Sequence, residues 1–248
     1  MFKFFRRIRQ RLLSENRFSK YLLYAIGEIV LVVIGILIAL EIDTRHDISK
    51  NNQLELKILK EISSDLKSDM QGLSEDIVLM DSISNACNEI KETLRESDAP
   101  TPQFGYALNY LRITPHFDPN TSGYELLSSK GIELITNDSL RRAISRLYEI
   151  QYPYYRRYEN ERIQYVELHV EPELLRYVTF TKDPDRYLKS NAWIDSKLYG
   201  SMRDDEQFLK RVSGIDVENH YVHMRAGSTL EMIRALYEFI TNELNERV

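Results

Sequence analysis

The first strong pattern along the chain is an apolar run, Tyr21–Leu40, in which Glu28 is the only charged residue. A helix rises about 1.5 Å per residue, so a run of this length spans about 30 Å, the thickness of the hydrocarbon core of a bilayer. A cleavable signal peptide needs small residues at its cleavage site, and Ala39-Leu40-Glu41 does not fit that pattern. The sequence therefore predicts an uncleaved transmembrane helix over residues 21–42.

Beyond this segment, apolar residues recur every three or four positions from about Asp47 to Glu96, with charged and polar residues between them. This spacing predicts a long amphipathic helix, in which Gly72 is expected to be a weak point or a break. Such a stripe suits a coiled coil between chains or one edge of an intramolecular bundle, and later helical patterns favour the bundle. The predicted stripe consists of Leu59, Ile62, Leu66, Met70, Leu73, Ile77, Met80, Ile83, Cys87, Ile90 and Leu94.

Prolines and glycines divide the rest of the chain into an irregular connector at residues 97–136 and helices over 137–248. The connector is expected to contain short helices around Tyr106–Arg112 and Tyr124–Ser129. Gly131 is expected to end the second of them, because glycine accepts the backbone conformation that terminates helices.

The helix that follows the connector is expected to begin at a cap formed by Thr136 or Asn137 and to kink at Pro153. A further helix is predicted to start at Asp183-Pro184, and the last one to run from about Val217 to Leu244. The first of these helices has a predicted apolar face of Leu140, Ile144, Leu147, Ile150, Tyr154 and Tyr158. The last helix has a predicted apolar face of Met224, Ile233, Tyr237, Ile240 and Leu244.

The fold class predicted from these patterns is all-α. It comprises a single N-terminal transmembrane helix followed by an extracytoplasmic helical bundle, residues 43–248, built on one long amphipathic helix. Tyr177–Thr181 comes nearest to the alternation of a strand, and it is too short to indicate a sheet.

Charge predicts how the chain is oriented in the membrane. Residues 1–20 carry a formal charge of +6, whereas the rest of the chain carries −11. Because positive flanks stay on the inner side, we expect a cytoplasmic N-terminus and a periplasmic C-terminal region. Phe2, Phe5, Ile8 and Leu12 share one helical face of the basic segment, which favours a helix lying on anionic lipid at the bilayer surface.

Glu28 shares a face of the transmembrane helix with Tyr24, Leu31, Gly35 and Ala39, at spacings of three and four residues. Gly35 and Ala39 form a small-x-x-x-small pair that allows a second helix to approach closely. The favoured interpretation is therefore a helix-contact face in a homo-oligomer or with a partner protein. Two alternatives are a proton pathway through Glu28 and a carboxylate that is merely tolerated near the interface.

The sequence contains no motif that indicates catalysis, a cofactor or a metal centre. His220 and His223 lie three residues apart near Glu218, but no third and fourth ligand is evident. The single cysteine, Cys87, falls on the apolar stripe and is expected to pack as a small hydrophobe. Nucleic acid is an unsuitable partner for an external region of net charge −11.

Tyrosine is unusually dense in residues 151–165, where it alternates with arginine. Tyrosine and arginine together can bind sugars, peptides or anions, and both are enriched at interfaces. The possible ligand or partner surface consists of Tyr154, Tyr155, Arg156, Arg157 and Tyr158. The alternative is that these phenol rings line a wet bundle core while the arginines pair with nearby acids.

Residues 3–43 resemble the N-terminal signature of an uncharacterised single-pass inner-membrane family of Bacteroidota, domain of unknown function 6090. The resemblance is carried by SENRFSKY followed by AIGEI, and less sharply by Tyr124–Gly131 and Asn137–Tyr148. It implies an inner-membrane location and this architecture, and it brings no activity.

Three functional hypotheses follow. The first is a non-enzymatic, membrane-anchored helical protein of the periplasm that acts by associating with itself or with other envelope proteins. The second is an ion-coupled energiser subunit, with Glu28 as the proton carrier. The third is a periplasmic ligand-binding module with its site in the Tyr/Arg-rich segment.

Overall fold

A computed structural model describes residues 18–182 and 190–247. Helix makes up 85% of the structure, which confirms the all-α class. The helices are α1 (Phe18–Glu96), α2 (Pro102–Tyr110), α3 (Ser122–Lys130), α4 (Asp138–Ser145), α5 (Tyr152–Tyr165), α6 (Glu171–Tyr177), α7 (Ser196–Arg203) and α8 (Glu206–Glu246). A short 3-10 turn, Ile132–Leu134, follows α3. The predicted surface helix before Phe18 and the predicted helix start at Asp183-Pro184 lie outside the described residues.

One small antiparallel hairpin accompanies the helices. Its strands are β1 (Thr179–Lys182) and β2 (Ser190–Trp193), with Thr179 paired to Trp193. β1 overlaps Tyr177–Thr181, the segment that comes nearest to a strand pattern in the sequence.

The chain divides into two compact units, Met1–Glu55 and Leu56–Val248. In the first unit the described residues belong to α1, and the large apolar side chains described up to Ile48 are exposed, Leu31 by 74% and Leu37 by 59%. Within the described residues, one helix is long and apolar enough, by length and composition alone, to cross a membrane.

The second unit has a core in which α1 and α8 each contribute a stripe of buried residues with a seven-residue repeat. Such a repeat keeps one face of a helix turned toward its neighbours. The buried residues of the α1 stripe are Leu59, Ile62, Leu66, Asp69, Leu73, Met80, Ile83, Cys87, Ile90 and Leu94. Those of the α8 stripe are Phe208, Val212, Ile215, Asn219, Val222, Ala226, Thr229, Ile233, Leu236 and Ile240.

Three predictions about these stripes are wrong. Met70 and Ile77 are only partly buried, because Asp69 and Asp76 occupy the core register instead. Met224 is 53% exposed, because the α8 repeat passes through Val222 and Ala226 on either side of it. The helix also continues through Gly72 without a break, since an isolated glycine costs only about 1 kcal/mol and its neighbour Leu73 is buried in the core.

Side-chain caps explain where several helices begin. Asn137 accepts hydrogen bonds from the backbone N–H groups of Ser139 and Leu140, so its predicted capping role is confirmed. Asp205 caps α8 in the same way, which starts this helix eleven residues earlier than the predicted start near Val217. Gly131 follows α3 with a φ of 99°, as expected for a glycine that ends a helix.

Two π-turns, Arg146–Gln151 and Val166–Val170, join α4, α5 and α6 end to end. Each lies just before a proline, Pro153 or Pro172, whose ring clashes with the carbonyl four residues earlier in a regular helix. In the first turn the Tyr152 N–H donates to the Leu147 carbonyl five residues back. The wider turns accommodate the prolines within a helical path.

The first π-turn also corrects the predicted apolar face of this helix. One extra residue in a turn rotates everything after it by about 100°. Leu140, Ile144 and Leu147 are buried as predicted, but Ile150 is 63% exposed and Tyr154 is 45% exposed. The buried face continues instead through Tyr148, Tyr152, Tyr155, Glu159 and Arg162.

Two glycines should respond in opposite ways to replacement by alanine. A Cβ at Gly123 would lie 2.7 Å from the backbone nitrogen of Ile62, so Gly123→Ala should force α3 away from α1 and destabilise the fold by about 1–3 kcal/mol. A Cβ at Gly72 would meet nothing within 4 Å, so Gly72→Ala should stabilise α1 by about 0.5–1 kcal/mol. Urea unfolding of the full chain in detergent measures both changes, and shifts of the same sign would contradict this packing.

Candidate functional site

The predicted contact face of the transmembrane segment lies in the first unit. Glu28, Leu31, Gly35 and Ala39 are all exposed, while the side chain of Tyr24 lies outside the described residues. A Cβ added to Gly35 would meet no atom within 4 Å. This stretch of helix surface is therefore open to a neighbouring helix.

The five residues of the predicted Tyr/Arg surface point in different directions. Tyr155 is buried, whereas Tyr154 and Arg157 are exposed. Arg156 donates to the Phe117 carbonyl and the Asp118 carboxylate, and Arg157 pairs with Glu161. The structure thus does not bring these five side chains together as one surface.

Two of the tyrosines do form a surface cluster with α8, which we call the tyrosine–arginine cluster: Tyr154, Tyr158, Tyr221 and Arg225. The Arg225 guanidinium carbon lies 3.5 Å from the ring centre of Tyr158 and within about 6 Å of the other two rings. The rings of Tyr154 and Tyr158 meet edge to face at 5.0 Å. The pKa of Tyr154 is lowered by its hydrogen bonds with Tyr158 and Arg225.

A different group of ionisable side chains lies inside the second unit, beneath the segment that joins α2 to α3. This segment, residues 113–121, has no regular secondary structure, and we call it the strap. Its backbone groups need partners because part of it is buried. Those partners are side chains of α1 and α5.

Asp69 holds the end of the strap from α1. Its carboxylate accepts hydrogen bonds from the backbone N–H of Asn120 at 2.8 Å and from the Asn120 side chain at 2.7 Å. The Tyr152 hydroxyl donates to the second carboxylate oxygen at 2.7 Å. Burial raises the pKa of Asp69, although these hydrogen bonds act in the opposite direction.

Glu159 holds the middle of the strap from α5. It is 1% exposed, and its carboxylate accepts a hydrogen bond of 2.9 Å from the backbone N–H of Phe117. Burial raises the pKa of Glu159 to about 7, while the Phe117 bond and nearby His116 act to lower it. Glu159 is therefore a buried carboxyl group that titrates near neutrality.

Arg162 holds the beginning of the strap one helical turn further along α5. Its Nη2 donates to the Ile113 carbonyl at 2.9 Å, while Nε and Nη1 have no hydrogen-bond partner within the described chain. Burial lowers the pKa of Arg162 to about 10. The Tyr155 hydroxyl is buried beside the Glu159 carboxylate and also acts to lower its pKa, although this contact falls short of a regular hydrogen bond. This group of side chains is therefore suited to binding and releasing a proton, at the Glu159 carboxyl.

No group of three or more His, Cys, Asp or Glu side chains is arranged to bind a metal within the described part of the chain. His223, one of the two histidines considered from sequence, lies 3.0 Å from a carboxylate oxygen of Asp81. Cys87 is buried, which raises the pKa of its thiol to about 12 and leaves it unreactive.

Sequence reasoning missed the residues beneath the strap, although one signal pointed to them. The seven-residue repeat of α1 that passes through Ile62 reaches Asp69 and then Asp76, and an acid in a core register needs a partner. Glu159 and Arg162 left no such signal, because the π-turn changes which face of the helix is buried.

Comparison with known proteins identifies the class to which this chain belongs. A family model matches residues 28–170, which is more than half of the chain. The protein belongs to that family, a family of unknown function (DUF6090). The matched region begins at Glu28 and includes the strap, Glu159 and Arg162. No curated protein and no solved structure gives a significant match.

The titration of Glu159 should be visible in the stability of the protein. Because its pKa is raised from 4.5 to about 7 by folding, the native state holds this proton more tightly than the unfolded state. Stability should therefore fall as pH rises between those values, by about 3 kcal/mol from this group. Glu159→Gln keeps an acceptor for the Phe117 N–H and should remove that part of the pH dependence.

Urea unfolding of the full chain at several pH values measures this difference. Glu161→Gln is the matched control, because Glu161 is a carboxylate two residues away on the same helix and lies on its exposed side. The control should follow the unmodified protein. If Glu159→Gln and the unmodified protein show the same pH dependence, the Glu159 carboxyl does not titrate in this range.

Proposed function

We propose that this protein is anchored in a bacterial inner membrane by residues 21–42 and acts without catalysis, by association with copies of itself or with other envelope proteins. The observation that carries the proposal is the exposure of every large apolar side chain described in this segment. An apolar helical surface of this length has no cover among the described residues of its own unit and needs a non-aqueous environment.

The charge distribution supports the proposed orientation. The basic residues 1–20 precede the span and would remain in the cytoplasm, where anionic lipid attracts them. The unit Leu56–Val248 would then lie in the periplasm.

The proposed contact face combines open space with a carboxyl group that lipid solvates poorly. Gly35 and Ala39 permit a second helix backbone to approach, since no atom of the described residues lies within 4 Å of a Cβ placed at Gly35. Glu28 lies on the same face, and a carboxyl group within the hydrocarbon core favours a protein neighbour over lipid. A helix–helix interface would fill the space beside Gly35 and Ala39 and would also give the Glu28 carboxyl a protein neighbour.

Disulfide cross-linking in native membranes tests this interface. Gly35→Cys should give covalent dimers, whereas Leu37→Cys, on the opposite side of the helix, should stay mostly monomeric. Cys87 does not interfere, because it is buried with its pKa raised to about 12. Monomer at both positions would count against self-association, and equal cross-linking at both would indicate random collision.

A second candidate is an ion-coupled subunit in which Glu28 carries protons, favoured by its position as the single carboxylate of the apolar run. Glu28→Gln keeps the shape and hydrogen-bonding capacity of the side chain but cannot release a proton. Cross-linking through Gly35→Cys should survive in the double variant if Glu28 carries protons. Loss of cross-linking would assign Glu28 to the interface.

A third candidate, a ligand-binding module, is favoured by the tyrosine–arginine cluster. Its partly exposed rings and guanidinium are side chains that recur where proteins bind sugars and peptides. We expect a sugar or peptide to co-purify with the full chain and to be lost in Arg225→Ala, but not in Arg234→Ala on the exposed side of the same helix. Mass spectrometry of the purified protein detects a co-purified sugar or peptide. If no such ligand is found on the unmodified protein, this candidate function is excluded.

A further inference from the structure

Most of the backbone hydrogen bonds of the strap go to ionisable side chains. Among the described residues, only its two ends also bond to backbone, with the Ile113 N–H donating to the Tyr110 carbonyl and the Thr121 carbonyl accepting from the Glu125 N–H. Its backbone bonds to Arg162 at Ile113, to Glu159 and Arg156 at Phe117, and to Asp69 at Asn120. Helices and strands satisfy their own backbone groups, but the strap depends on the charge state of these neighbours. A change in that charge state therefore acts on the strap before it acts on the helices.

Glu159 is the member of this set whose surroundings make ionisation most costly. From α5 it faces Tyr155 and Arg162, from α1 it faces Asp76, and from the strap it faces His116. No salt bridge within 4 Å neutralises its carboxylate among the described residues, and the Tyr155 hydroxyl beside it makes a contact that falls short of a regular hydrogen bond. The ionised form is thus a buried charge with incomplete compensation.

We propose that the strap is a pH-sensitive latch, closed over Glu159 when this carboxyl is protonated and opened when it ionises. Opening brings water to the carboxylate and removes the cost of burying its charge. The strap is the element that yields, because the surrounding helices are held by the seven-residue stripes of α1 and α8, whereas the strap has no secondary structure of its own.

Opening changes the surface of the protein. The Phe117 ring packs against Tyr152 at 5.7 Å and Tyr155 at 6.2 Å, all three being buried in the closed form. Release of the strap exposes these aromatic rings, which are well suited to bind a partner. A pH change outside the cytoplasmic membrane would thereby alter which surface the protein presents.

The direction of the response follows from the pKa values. In the open strap Glu159 is hydrated and its pKa returns toward 4.5, whereas in the closed strap it is about 7. Between these values each rise of one pH unit increases the opening equilibrium by up to about tenfold. Protonation closes the latch, and a rise in pH opens it.

Hydrogen exchange of the full chain in detergent, followed by mass spectrometry of peptides covering the strap, tests this proposal. After correction for the intrinsic pH dependence of exchange, protection of the strap should fall up to about tenfold per pH unit between about pH 5 and 7. Glu159→Gln should show a flat profile, and Glu161→Gln should match the unmodified protein.

A core peptide of α8 around Val222 distinguishes opening of the strap from global unfolding. The strap should exchange faster than this peptide at every pH, because its opening leaves the core intact. Equal protection of strap and core would overturn the latch, as would a corrected profile for the unmodified protein that does not vary with pH. The profile of the unmodified protein decides the matter even if Glu159→Gln does not fold.

Discussion

The second unit depends on one constraint, the seven-residue repeat that α1 and α8 both follow. A repeat of this length keeps the buried face of each long helix turned toward the same neighbours over many turns. Asn219 lies within the α8 stripe and donates to the Met80 carbonyl at 2.7 Å and to the Ser84 hydroxyl at 2.9 Å. A buried side-chain amide needs hydrogen-bond partners and can find them in few positions. This contact therefore favours one register of α8 against α1.

The same repeat explains why ionisable groups lie inside the unit. In α1 it places Asp69 at a core position, where a leucine would otherwise pack, and the strap supplies the donors that this carboxylate needs. The π-turn before α5 rotates Glu159 and Arg162 into the interior from the opposite side. Stability and proton binding are thus coupled through the same buried side chains.

The sequence predicts features that arise from local periodicity. Apart from Met70 and Ile77, the stripe of α1 is buried as predicted, and the cap at Asn137 and the end of α3 at Gly131 are present, because each depends on residues within a few positions of one another. To predict that Asp69 is buried, the seven-residue repeat had to be followed through Asp69, although the neighbouring Met70 is more apolar. The exposure of Tyr154 and the burial of Glu159 required knowing that a π-turn, and not only a kink, precedes Pro153.

The strap could not be anticipated, because its partners are distant in sequence. Phe117 and Glu159 are 42 residues apart, and Asp69 and Asn120 are 51 apart. The family of unknown function to which the chain belongs includes this region but assigns it no role. The chemistry of the strap therefore has to be inferred from geometry and burial.

Alkaline carbonate extraction of membranes from cells that express the full chain tests the anchoring most directly. Carbonate releases proteins held by charge or by contact with other proteins and leaves proteins that span the bilayer in the pellet. If residues 21–42 span the membrane, the protein stays in the pellet, and it moves to the supernatant when Leu31 and Val33 are both replaced by arginine. Recovery of the unmodified protein in the supernatant would contradict the anchoring and the function proposed from it.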